Sequence, residues 1–72
     1  MRSFEDADGN IWDVSLGRES WGTLVLIFAQ RHGDEVRKTM LASETALEAQ
    51  AELETLAEEE LRERLARSQP WG

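Results

Sequence analysis

The segment DADGNIWD, residues 6–13, is where this chain comes nearest to a metal-binding motif. Asp6 and Asp8 flank one residue, Gly9 follows, and Ile11 lies two positions on. In an EF-hand loop, oxygen ligands stand at positions 1, 3, 5 and 12, glycine at 6 and an apolar residue at 8. Setting Gly9 at position 6 puts Asp8 at 5, Asp6 at 3 and Ile11 at 8. It also puts Phe4 at position 1 and Ser15 at position 12, so the first ligand and the bidentate carboxylate are missing. The flanks read as strands, not helices. Aspartates beside a glycine serve a hairpin equally well, because Asp accepts local backbone hydrogen bonds and tolerates bends. The sequence therefore predicts a turn here, with no metal and no cofactor.

Other residues with chemical potential lack partners. In GRESWG, residues 17–22, Ser20 sits near two glycines, but a nucleophile elbow has glycine two positions before its serine, and here that residue is Arg18. His32 is the one histidine and there is no cysteine, so neither a His-based triad nor a thiolate or multi-histidine metal site can be assembled. Glu58, Glu59 and Glu60 are adjacent, and successive helical side chains diverge by about 100°, so they cannot converge on one substrate. No glycine-rich loop opens a helix to cradle phosphate. No catalytic residue is expected.

Binding is the chemistry that remains. Arg18, Glu19 and Trp21 project from a short connection with a glycine at each end, and Trp and Arg are frequent interface anchors. Loops carried on a rigid sheet often hold binding residues. Ile11, Val25 and Ile27 are expected on the sheet face away from the helices, where they would form an exposed apolar patch. Trp71, in QPWG, is read either as a plug folded back onto the core or as a C-terminal docking tag.

The elements that position these residues divide near residue 42. Before it lie β-branched and aromatic residues and four of five glycines; from there to Gln69 there is no glycine or proline, and Ala, Leu and Glu dominate. Strands are expected over residues 2–6, 10–16, 23–29 and 35–40. A three-residue loop, Ala7 to Gly9 with Gly9 left-handed, sets Phe4 opposite Trp12 and pairs two aromatics on the buried face. The third strand, TLVLIFA, is apolar on both faces. Gly33 in RHGD is expected to take a positive φ, and residues 35–40 to form a charged edge strand. Ser43 is the expected N-cap of the helical half. A capping box at Thr55 with Glu58 suggests a second helix start, and a break near Glu54 would let both Leu47 and Leu61 face the sheet. Leu53, Leu56, Ala57 and Leu61 form one stripe, and Glu58–Arg62, Glu60–Arg64 and Glu63–Arg67 stand at ion-pair spacing. The expected fold is α+β: an antiparallel meander of three to four strands, then one or two C-terminal helices packed on one sheet face, in a single domain covering residues 1–72 with a tail at 70–72.

Size and charge narrow the function further. A chain of 72 residues buries only about 60% of its unfolded surface, so its core is marginal and a partner chain would help. Residues 1–41 carry seven acids and five bases; residues 42–72 carry eight acids and three bases, so most of the net charge of −7 lies in the helical half. Phosphate backbones and anionic lipid would be repelled. With no cysteine, no long apolar run and no apolar leader in MRSFEDADG, a cytoplasmic protein is expected. Seven arginines against one lysine suit a GC-rich bacterial genome. The expected function is a small acidic, non-enzymatic protein-binding or regulatory adaptor, with a basic protein as a natural partner. The alternatives are a homodimeric structural subunit, or an acidic nucleic-acid mimic that blocks a basic groove.

Overall fold

In the computed structural model, residues 2–19 and 22–71 are described. The chain runs β1 (Arg2–Glu5), β2 (Ile11–Arg18), β3 (Leu24–Gln30), β4 (Val36–Met40), α1 (Ala46–Thr55), α2 (Glu58–Ala66) and β5 (Gln69–Pro70). The strands form one antiparallel sheet in the order β1-β2-β3-β4-β5, a meander completed by the chain's return after α2. The sheet and the two helices make the α+β arrangement that the sequence predicts.

The first hairpin has the expected register, with Phe4 opposite Trp12. Gly9 stands at φ +87, where only glycine is unstrained. The Gly9 N–H donates to the Asp6 carbonyl and the Asp6 N–H to the Asn10 carbonyl, closing a three-residue loop. The second hairpin repeats the device. Gly22 has φ +85, its N–H donates to the Glu19 carbonyl, and the Glu19 N–H donates to the Thr23 carbonyl. The third turn differs from expectation. Gly33 does not take a positive φ; four residues separate Gln30 from Glu35, whose backbone bond closes the loop.

One face of the sheet is roofed. Phe4, Trp12, Val14, Leu24, Leu26 and Phe28 meet Ala49, Leu53, Leu56, Leu61 and Leu65 in one core. Phe4 and Phe28 reach each other edge to face, centroids 6.0 Å apart. The helical half is two helices. Leu56 and Ala57 are extended between them. That break resets the helical phase, so that Leu53, Leu56, Leu61 and Leu65 all reach the sheet. Across one straight helix, Leu53 and Leu65 would drift apart by about 120°.

Several local expectations are corrected. The N-cap of α1 is Thr45, whose Oγ1 accepts from the Glu48 N–H, whereas Ser43 Oγ donates to Glu52. The box at Thr55 does not form. Its hydroxyl bonds back to the carbonyls of Ala51 and Glu52, and α2 starts after Ala57, whose N–H donates to Glu60 Oε1. Leu47 does not face the sheet and is 82% exposed. The buried pair Ala49 and Leu53 sets the phase of α1, and Leu47 lies about 200° around the helix from Ala49. Arg64 pairs with Glu52 on α1 at 3.0 Å, because Glu60 is engaged as a cap. The other two expected pairs form, Arg62–Glu58 at 3.2 Å and Arg67–Glu63 at 3.5 Å.

Arginines fasten the roof to the platform. Arg2 Nη1 donates to the carbonyls of Leu53, at 3.0 Å, and Leu56 at the C-terminal end of α1. Arg37 donates to the Ser68 hydroxyl at 2.8 Å and to the Ser68 carbonyl, just beyond α2. Arg62 Nε donates to the Glu5 carbonyl on β1 at 2.7 Å. Among the described residues no helix is long and apolar enough to cross a membrane.

Candidate functional site: the open face of the sheet

The opening segment resolves as a hairpin brace. Asp6 Oδ1 accepts the N–H groups of Asp8 and Asn10, both at 2.9 Å. Its Oδ2 accepts the Trp12 indole N–H at 2.8 Å. Those bonds, the Trp12 bond foremost, hold the Asp6 carboxyl below the ordinary carboxylate range. The carboxylate thus shapes the turn and fixes the tryptophan that fills the core beneath it.

The sheet face turned away from the helices is more informative. Strand alternation puts Asp13, Ser15 and Gly17 of β2 on it, with Val25, Ile27 and Ala29 of β3 and Val36, Lys38 and Met40 of β4. The tail joins them. The Trp71 N–H donates to the Val36 carbonyl at 2.9 Å, extending the pairing of β5 with β4. Lys38 Nζ lies 5.0 Å from the Trp71 ring centroid, a cation–π distance, and 2.6 Å from Glu19 Oε1. Across the face, Arg31 Nη2 lies 2.6 Å from Asp13 Oδ1, and this bond lowers the Asp13 pKa and raises that of Arg31. These charges are therefore neutralised in pairs. Between them the apolar surface is open: Met40 is 60% and Trp71 45% exposed, with Ile27, Ala29 and Val36 half-buried.

The expected binding residues fall as follows. Ile11 and Ile27 are on this face and half-buried. Val25 shares the face but is 0% exposed, so it is not part of an exposed patch. It lies between Gly17 and Met40 in register, and the missing Gly17 side chain lets the Ile27 side chain lean over, its Cδ1 only 2.4 Å from where a Gly17 Cβ would stand. Arg18 is exposed and donates to the Gly22 carbonyl at 3.2 Å, and Glu19 is held by Lys38. Trp21 lies outside the described residues. Trp71 is not a core plug, because β5 carries it along β4 on the side away from the helices.

Met40 and Lys38 are the additions. Sequence alternation groups Val36 with Met40, but not to a side. The side follows from the third turn: Phe28 faces the core and stands opposite Arg37, so Arg37 and Thr39 point inward and Val36, Lys38 and Met40 outward.

Both sheet edges are blunted. The outward carbonyl of Glu5 on β1 is taken by Arg62. On β5 the bond between Trp71 and Val36 turns Pro70 outward, and proline has no N–H to offer. β4, expected as an edge, is covered by β5 over Arg37 and Lys38.

Comparison with protein-family models, curated proteins and solved structures finds no match to this chain. The described residues enclose no pocket and bring no three metal-ligating side chains together.

Proposed function

We propose that this protein is a small acidic binding module, acting by association and not by turnover, and that it engages a protein partner through the open face of its sheet. The observation that carries this reading is the exposure of Met40 and Trp71 around Ile27, on a face where Asp13 pairs with Arg31 and Glu19 with Lys38, and where Glu5, opposite Ile11 toward the β1 edge, has no ion pair among the described residues. Desolvating such a face costs little, because few unpaired charges lose water, and Trp and Met are enriched where partners meet. The blunted edges favour the face over strand addition as the route to a partner.

The test uses a photo-reactive side chain at position 40 in the producing cell, a control at position 47, and mass spectrometry to name what is cross-linked. With that partner purified, Met40→Glu and Trp71→Ser should each weaken binding at least tenfold while circular dichroism is unchanged. Binding that survives both substitutions counts against the face.

A second reading has its own observation. Six of the eight lysines and arginines form ion pairs and Arg2 and Arg18 donate to backbone carbonyls, whereas Glu44, Glu48, Glu54, Glu59 and Glu60 have no Lys or Arg within ion-pair distance among the described residues. These carboxylates make the helical side an electrostatic guide for a basic protein, which is also what a nucleic-acid mimic needs. Association through it should slow steeply as salt rises, whereas contact through the apolar face should not.

A further inference from the structure

The open face is lopsided about its central strand. In register, one row runs Gly17, Val25, Met40, and the next runs Ser15, Ile27, Lys38. A third runs Ser3, Asp13, Ala29, Val36, with Trp71 bonded beyond Val36. On the β1–β2 side of β3 these rows present Ser3, Ser15 and Gly17, which are small, and Asp13, which is paired with Arg31. On the β4–β5 side they present Val36, Lys38, Met40 and Trp71, which are large.

That arrangement is self-complementary. A half-turn about an axis lying in the interface, parallel to β3, brings the β4 of a second copy over β2 and its β5 over β1. Met40 then stands over Gly17, Lys38 over Ser15 and Trp71 over Ser3, large over small, while Val36 stands over Asp13, whose charge is paired with Arg31. The two Ile27 side chains meet at the axis. Sheets stacked in this way, with strands close to parallel, form the aligned packing of β-sandwiches.

Building on the open face as a binding surface, we propose that its occupant is a second copy of this chain, forming a two-fold dimer that hides both open faces and leaves the acidic helices outermost. Net charge does not forbid it. The helices lie on the far face of each sheet, and stacked sheets alone stand about 10 Å apart, so the two helical layers are separated by more than the Debye length of about 8 Å at physiological salt. The charges at the contact are the two internally neutralised pairs and, toward the β1 edge, Glu5. Strands of 4, 8, 7, 5 and 2 residues, spaced about 4.8 Å apart at about 3.3 Å per residue, give a projected face of roughly 410 Å². Two such faces bury roughly 800 Å², below the standard size of a stable interface, so the dimer is expected to be weak and reversible, in the high micromolar range.

The test is sedimentation of the purified full-length chain from about 1 to about 500 µM, coupled to photo-methionine cross-linking from Met40 in a mixture of light and heavy protein. The proposal predicts reversible dimerisation, cross-copy links from Met40 to residues 13–18, at least a tenfold weakening by Met40→Glu or Trp71→Ser, and no change with Leu47→Glu on the outer helical side. A chain that stays monomeric throughout, or cross-copy links that fall on the helices, overturns the dimer. If the chain is monomeric but Met40 cross-links to a different, identified protein, the second copy is wrong and the binding face stands. If the chain is monomeric and Met40 cross-links to nothing, both fail.

Discussion

Replacing Arg2 with methionine removes a guanidinium and little else, which makes it a clean probe of how the roof is fastened. Arg2 comes from the first strand, yet its Nη1 donates to the carbonyls of Leu53 and Leu56, where α1 ends. The last turn of α1 has no basic residue of its own. Arg2 therefore supplies both the positive charge that a helix C-terminus favours and partners for its orphaned carbonyls. A hydrogen bond to a charged group contributes about 1.5–3 kcal/mol net, and a cation at a partly buried helix end up to about 2 kcal/mol. These overlap, and water can regain the carbonyls in the variant, so the expected loss is about 2 kcal/mol. Total stability for 72 residues is about 4–10 kcal/mol. Thermal unfolding should fall by about 8–16 °C, and the urea midpoint by about 2 M for a slope near 1 kcal/mol/M. Arg67→Met is the control, since the Arg67–Glu63 pair is exposed on both sides and should change stability by less than about 0.5 kcal/mol. An Arg2→Met protein within about 0.5 kcal/mol of wild type would refute the fastening.

Three other outcomes follow from the same geometry. Leu61→Ala, at a fully buried position, should cost about 2–5 kcal/mol, a large share of the total stability, whereas Leu47→Ala should change stability by less than about 0.5 kcal/mol; urea titration of both checks this. Gly17→Ala makes the Ile27 Cδ1 methyl, the far end of a half-buried side chain, swing aside and should cost less than about 1 kcal/mol, relieved when Ile27→Val is added, as a double-mutant cycle would read. The Asp6 carboxyl titrates below its ordinary value because Trp12 and two backbone amides donate to it, so its stabilisation is present above about pH 4 and is lost as pH falls through the folded-state pKa. Asp6→Asn should therefore flatten the fall in stability between about pH 4 and pH 2, with tryptophan fluorescence as the readout.

What the sequence disclosed depended on how local the physics was. The hairpin at Asp6–Asn10 was readable to the residue, because a left-handed glycine and facing aromatics admit one register. Two helices were readable, but the break was expected near Glu54 so that Leu47 could face the sheet, whereas it lies at Leu56 and Ala57 and Leu47 is exposed; its cap was hidden, since an alanine N-cap with Glu60 reaching back carries only half of the usual signature. The fifth strand was invisible. Two residues ending in proline have no strand pattern, and they pair only because α2 delivers Gln69 to the side of β4. That strand decides where Trp71 lies, and with it half of the candidate site. The arginine contacts were hidden for the same reason: Arg2 and Leu56 are distant in sequence and meet only when the roof closes. Ile11 and Ile27 were placed on the open face by alternation, and Glu19 was read from its loop, whereas Arg18 stands opposite the core residue Leu24 and the turn at Gln30–Glu35 had to be counted before Met40 and Lys38 could be sided.

The central claim is that leucines roof one sheet face while Met40 and Trp71 mark an open, binding face on the other. Methyl and indole NMR signals recorded with a water-soluble gadolinium chelate test it most directly. In dilute protein, the Met40 methyl and the Trp71 indole should broaden strongly, while Leu53, Leu61 and the Trp12 indole stay sharp. Broadening of Leu53 and Leu61 equal to that of Met40, or a Met40 signal as protected as theirs in a proven monomer, would contradict the account.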